Sequence, residues 1–282
     1  MSGAPDVGSD PSDEFDGFEG EDALGRPLHL PRRPERVVSL VPSITDLLHA
    51  LDLGPRVVGI TRFCERPAEW RKTKAIVGGT KSVKHDTVAE LNPDLVLANL
   101  EENEKADVER LGAPVYVTDV QTVPEACDMI RTVGRLTGTA TSARSMAQTI
   151  TDRFDRLTIT PRVRAAYLIW RDPYMSVGRD TFIHDVMTRG GLVNVFEEHT
   201  RYPTITLDDL AAADPDVVLC SSEPFPFHQK EAFTADLREA LPDIPIEIVD
   251  GQLFSWYGPR LLKTPSYLVD LNEDRLRGRS AA

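Results

Sequence analysis

Cysteine is scarce in this chain. Cys64, Cys127 and Cys220 are widely spaced and form no CxxC pair, which leaves neither a zinc ribbon nor a disulfide framework to read. Basic residues are outnumbered, 32 Lys and Arg against 45 Asp and Glu, for a formal net charge of −13. A nucleic-acid partner needs a concentrated basic surface, and these arginines are scattered, so that class is excluded. No run of about 18 apolar residues occurs, so no membrane-spanning helix is expected. The six histidines show no HExxH or HxH spacing, and no GxSxG, P-loop or GxGxxG motif is present. Gly78-Gly79-Thr80-Lys81 lacks the earlier glycine of a phosphate loop. No catalytic residue, metal ligand or intrinsic cofactor is assigned from motifs.

The start of the chain also lacks a basic stretch followed by an apolar segment of about 7–15 residues, the pattern of a secretory signal. The Arg32-Arg33 pair is followed at once by Pro34 and Glu35, so a twin-arginine signal is not expected either. Residues 1–21 are rich in Gly, Ser, Pro and acids and bury too little apolar surface to offset ordering entropy. A disordered acidic tail is expected there. As it stands the chain reads as cytoplasmic; sequence missing ahead of Met1 would make it extracytoplasmic.

What is present is a repeat. The segment from Asp86 to Asn99, DTVAELNPDLVLAN, returns as DDLAAADPDVVLCS from Asp208 to Ser221. The offset is constant, since 208 − 86 and 216 − 94 both give 122. A second echo links GAPVYVTD, Gly112 to Asp119, with DIPIEIVD, Asp243 to Asp250. Apolar runs of strand length at Arg36 to Val41, Arg56 to Thr61, Leu95 to Asn99 and Pro114 to Thr118 alternate with helical patterns, and the scheme recurs at Arg164 to Trp170, Val217 to Cys220 and Ile246 to Val249. This alternation predicts an α/β protein with parallel sheets in two Rossmann-like lobes. The expected divisions are a lobe over 22–138, a bridging helix over 139–158 and a second lobe over 159–282, with a ligand cleft between the lobes.

In open parallel sheets ligands bind beyond the carboxyl ends of the strands. That rule nominates Ser43, Phe63 and Asn99 in the first lobe. In the second it nominates Trp170, Tyr174, Tyr202, Glu223, Phe225, Trp256 and Tyr257. So many aromatics near strand ends suit a flat, ring-rich ligand, with core packing as the competing explanation for each one. Phe254, Trp256 and Tyr257, bracketed by Gly251 and Gly258, are read as facing the cleft. Asp86 and Asp208 both fall near helix starts, where an acid is stabilised by about 0.3–1 kcal/mol.

Four segments in this order resemble one family: RVVSLVPSITDLLHALDLGPRVVGIT, VGGTKSVKHDTVAELNPDLVLA, DTFIHDVMTRGGLVNVF and YPTITLDDLAAADPDVVL. They are similar to the helical-backbone substrate-binding proteins of ABC importers for cobalamin, haem and ferric siderophores, nearest the cobalamin-binding branch. The resemblance, from about Asp22 to Leu271, implies a monomer of two α/β lobes bridged by one long helix, which holds a cobalamin-like or iron-chelate ligand with little domain closure. It also implies that Asp86 and Asp208, where the family usually has Glu, dock onto a membrane permease. Phe63, Tyr174 and Tyr202 match ligand-contacting positions of the cobalamin branch; two positions where that branch can have Trp are Thr80 and Asn99 here. The competing readings are a cytoplasmic enzyme or handling factor for a corrinoid or metal complex, using Glu101, Glu102, Asp172 and Glu223, and a metal-ion receptor using His85 or His184.

Overall fold

The structure is a computed structural model that describes residues 15–159 and 163–276. The chain divides into two compact units, Met1–Asp119 with Cys127–Gln148, and Val120–Ala126 with Thr149–Ala282. Unit 1 begins with strands β1 (Phe18–Glu21) and β2 (Pro27–Leu30), then β3 (Val37–Ser39), α1 (Pro42–Ala50), β4 (Val57–Ile60), α2 (Trp70–Thr73) and β5 (Ala75–Ile76). It continues through β6 (Gly78–Gly79), β7 (Ser82–Val83), α3 (His85–Leu91), β8 (Leu95–Asn99), α4 (Lys105–Glu109) and β9 (Val115–Thr118). Helices α5 (Val123–Thr137) and α6 (Ala140–Asp155) follow, and each contributes residues to both units.

Unit 2 holds β10 (Val163–Leu168), β11 (Tyr174–Met175), α7 (Phe182–Arg189), β12 (Leu192–Asn194), β13 (Thr204–Ile205), α8 (Leu207–Ala212) and β14 (Val217–Ser221). After these come α9 (Ala235–Ala240), β15 (Ile246–Val249), α10 (Gly251–Ser255) and α11 (Thr264–Asp270). Each unit carries one parallel sheet, ordered β5-β4-β3-β8-β9 in unit 1 and β12-β10-β14-β15 in unit 2. Every residue of β8 and β14 is buried, which explains their unbroken apolar sequences.

The repeat is exact at the level of local structure. At the 122-residue offset, β7 matches β13, β8 matches β14, and α3 and α8 begin at equivalent positions. Between helix and strand the chain turns through Asn92 and Asp214, both left-handed at φ 43° and 45°, a conformation that Asn and Asp tolerate better than most residues. The aspartate of each Pro-Asp pair is an anchor. Asp94 accepts the backbone N–H groups of Glu35 and Arg36 at 2.9 Å, and Asp216 accepts that of Arg164 at 2.8 Å. The arginines then reach back to helix ends, Arg36 donating to the Leu91 carbonyl and Arg164 to those of Ala213 and Asp214. Each motif therefore fixes where the first sheet strand of its unit enters.

The acid-rich start joins the fold earlier than its composition implies. Residues 1–14 of the expected tail lie outside the described residues, but Phe18–Glu21 pairs antiparallel with Pro27–Leu30. The reason is Phe18, which is buried edge-on against Tyr116 with the Arg135 guanidinium over its ring. The turn is closed by Asp22, which accepts from the backbone of Leu24 and Arg26 and takes a two-pronged bond from the Arg26 guanidinium. Burial pushes the Asp22 carboxyl up, and these hydrogen bonds more than reverse it, leaving it below the usual carboxylate range.

Candidate functional site

In both sheets the chain order reverses beside the first strand, between β3 and β8 in unit 1 and between β10 and β14 in unit 2. Such a switch point opens a crevice beyond the carboxyl ends of the strands. Among the described residues, the large hydrophobic side chains left exposed are Phe63, Leu100 and Trp170, at 49%, 42% and 40%. All three stand within three residues of the end of a sheet strand: Phe63 after β4, Leu100 after β8 and Trp170 after β10. Leu100 was not nominated by sequence, because one leucine after a buried strand carries no signal of its own exposure.

At the end of unit 1, Phe63 lies under the Arg62 guanidinium, 4.9 Å from the ring centroid. Both rest on the β6–β7 hairpin, whose Gly78 adopts φ +108° and would place a Cβ 2.3 Å from the Ser82 carbonyl. Thr80, half-buried, tops this hairpin. Ser43 is buried in the first turn of α1.

The expectation that Asn99 faces a ligand is corrected. Its side chain is 2% exposed, and its amide is spent: Nδ2 donates to the Thr118 carbonyl and hydroxyl, while Oδ1 accepts the N–H groups of Glu101 and Glu102. Asn103, in the same post-strand segment, is 5% exposed. Its Oδ1 accepts the Asn99 N–H at 2.9 Å and its Nδ2 donates to the carbonyls of Leu40 at 3.2 Å and Thr80 at 2.9 Å. Two amides thus tie together the ends of β3, β8 and β9 and the turn at Thr80.

At the end of unit 2, Trp170 packs edge-on against Phe225, centroids 5.7 Å apart, and Phe225 touches Phe227 and Phe233. Phe225 and Tyr202 are half-buried. Arg171, next to Trp170, is held by Asp172 at 2.7 Å and Asp236 at 3.1 Å. Tyr174 lies in the core of this unit, and burial raises its phenol well above the usual range.

The cleft-facing reading of Phe254, Trp256 and Tyr257 is also corrected. All three are buried; Phe254 packs on Tyr167, and Tyr257 packs edge-on against Phe182. Glu223 is likewise engaged internally rather than offered to a ligand. Its Oε1 accepts the Trp256 indole N–H at 2.7 Å and the Ser255 hydroxyl at 3.0 Å. Burial pushes its carboxyl up, partly offset by these donors.

The two histidines proposed for metal binding have structural partners. His85 Nε2 contacts Asp107 at 3.1 Å, and His184 Nδ1 contacts the Asn194 amide at 3.3 Å. Among the described residues no group of three or more His, Cys, Asp and Glu could hold a metal ion. Asp86 and Asp208 are exposed in the first turns of α3 and α8. A helix that returns to a parallel strand runs against it, so both helices start at the carboxyl ends of their sheets.

The family model described as periplasmic binding protein matches residues 37–241. Among curated proteins, an uncharacterized ABC transporter substrate-binding lipoprotein, YvrC, of Bacillus subtilis is 26% identical over 271 residues, 89% of this chain and 83% of its own. The vitamin B12-binding protein of Vibrio parahaemolyticus is 24% identical over 195 residues, 66% of this chain and 70% of its own. Among solved structures, a periplasmic haem-binding protein from Pseudomonas aeruginosa superposes with a TM-score of 0.74 at 21% identity, covering 84% of this chain and 92% of its own. These matches overturn the cytoplasmic reading, because the relatives are periplasmic proteins or lipoproteins that act outside the cytoplasm.

Proposed function

Because the chain belongs to the periplasmic binding protein family, whose members are solute-binding transport proteins and not enzymes, we propose that its solute is a ring-bearing metal chelate, a corrinoid or an iron complex such as haem. The observation that carries this is the placement of Phe63, Leu100 and Trp170, the exposed large hydrophobics among the described residues, all at the carboxyl ends of sheet strands. Apolar groups at those ends, two of them aromatic, suit a macrocycle that stacks on aromatic faces and needs few polar contacts. The relatives that bind vitamin B12 and haem support the same ligand class.

Titration with cyanocobalamin and hemin, followed by tryptophan fluorescence, tests it. A dissociation constant in the micromolar range or tighter is expected, and Trp170→Ala should weaken it about tenfold, or about 1.4 kcal/mol. Binding of neither ligand below about 100 μM sinks the reading.

Delivery requires a membrane permease, and we assign its docking to Asp86 and Asp208. The support is their equivalence in the repeat, their exposure and their place at helix starts. Charge reversal, Asp86→Lys with Asp208→Lys, should weaken capture of the importer's permease in detergent about tenfold or more while leaving ligand affinity unchanged. Equal capture by the variant would remove the assignment.

A further inference from the structure

Arg62 lies in the loop after β4, and its backbone N–H donates to the Gly78 carbonyl at 2.9 Å. Its guanidinium lies over Phe63. Both side chains occupy the space above Gly79: a Cβ there would stand 3.1 Å from Arg62 Nη2 and 3.2 Å from Phe63 Cε2. The bare glycine backbone leaves room for both. Arg62 is exposed, and it forms no ion pair with any carboxylate among the described residues. Two other basic groups near the strand ends have carboxylate partners, Lys81 with Glu104 and Arg171 with Asp172 and Asp236.

We propose that Arg62 is a specificity-determining residue that reads an anionic group on the ligand's periphery, a carboxylate or a phosphodiester, while Phe63 takes the adjoining ring face. This rests on the reading of the carboxyl end of unit 1 as ligand-binding. A guanidinium stacked on an aromatic ring keeps its N–H edge free and has already lost much of its rotamer freedom. Its fork matches two anionic oxygens. In a molecule of net charge −13, an anionic ligand meets general repulsion, so an unneutralised cation at the contact favours its acceptance.

The test uses three macrocyclic metal chelates that differ in peripheral charge: dicyanocobinamide, a corrin with no anionic substituent; cyanocobalamin, the same corrin ring with a phosphodiester; and hemin, a porphyrin with carboxylates. Each is titrated against the unaltered protein, Arg62→Gln and Arg62→Lys. Arg62→Gln should weaken the anionic probes about tenfold and Arg62→Lys by less, with cobinamide changed by less than about twofold. Anionic probes unaffected by Arg62→Gln overturn the proposal. So does an equal loss for cobinamide, which would mean that Arg62 only supports Phe63, and so does binding of cobinamide alone by the unaltered protein. If the unaltered protein binds none of the three, the proposed ligand class fails and takes this proposal with it.

Discussion

Replacing Asn103 with leucine is expected to destabilise unit 1 by about 3–5 kcal/mol, although leucine fills nearly the same volume. The cost lies in the partners left behind. The Asn99 N–H and the carbonyls of Leu40 and Thr80 each lose their bond to the Asn103 amide, in a place where that side chain is 5% exposed. An orphaned buried group costs about 1–3 kcal/mol, and partial access of water brings three of them down to the stated range. Asn103→Asp should do little better. It keeps an acceptor for the Asn99 N–H but sets a carboxylate oxygen against two carbonyls. Urea unfolding followed at Trp70, the tryptophan that lies within unit 1, measures the effect. A loss under about 1 kcal/mol would mean that the amide does not hold the strand ends together. Unit 2 does this with its main chain: at the equivalent position, Phe225 donates its N–H to the Ile169 carbonyl.

That contrast explains what could and could not be read from the residues. Strands β8 and β14 were legible because burial on both faces writes itself as an unbroken apolar run. The repeat was legible because Asn92-Pro93-Asp94 and Asp214-Pro215-Asp216 solve one problem twice, a left-handed turn followed by a carboxylate that clamps the neighbouring strand. The family was legible for the same reason. Side-chain exposure was not. Trp170 and Trp256 both follow strands or a short helix at a loop, yet one is 40% exposed and the other buried. The difference comes from partners far along the chain: Glu223 reaches the Trp256 indole across 33 residues. Asn99 failed as a ligand contact in the same way. A polar residue at a strand end looks identical in sequence whether its amide meets a ligand or, as here, the Thr118 carbonyl and two backbone N–H groups. The strand at Phe18 was hidden because acids dominate its composition, while a single ring packed against Tyr116 decides its structure.

Glu223→Ala should cost unit 2 about 1–3 kcal/mol, because the Trp256 indole N–H loses its acceptor, while the Ser255 hydroxyl keeps the Gly251 carbonyl at 2.9 Å. The packing around the carboxylate is tight. A Cβ on Gly251 would stand 2.4 Å from the Ser221 hydroxyl and 2.7 Å from Glu223 Cγ, so the loop after β14 and the start of α10 are already at closest approach. Burial pushes the Glu223 carboxyl up, hydrogen bonds from Ser255, Trp256 and Gln252 pull it back, and nearby Asp250 adds to the rise. The folded protein therefore holds this proton more tightly than the unfolded chain, whose glutamates ionise near pH 4.3. Its contribution to stability is full below that pH and is lost as pH rises through the raised folded value. Asp22, Asp107 and Asp236 behave oppositely: their carboxyls sit low when folded, so their contributions are lost as pH falls. Glu223→Gln keeps an acceptor oxygen for the indole and never ionises, so its stability relative to the unaltered protein should improve from pH 4 to pH 8. In a background where Trp70 and Trp170 are phenylalanine, Trp256 emission should shift to the red in Glu223→Ala and stay in place in Glu223→Gln. Unchanged emission and stability in Glu223→Ala would show that packing on neighbouring rings, not the carboxylate, holds Trp256 in place.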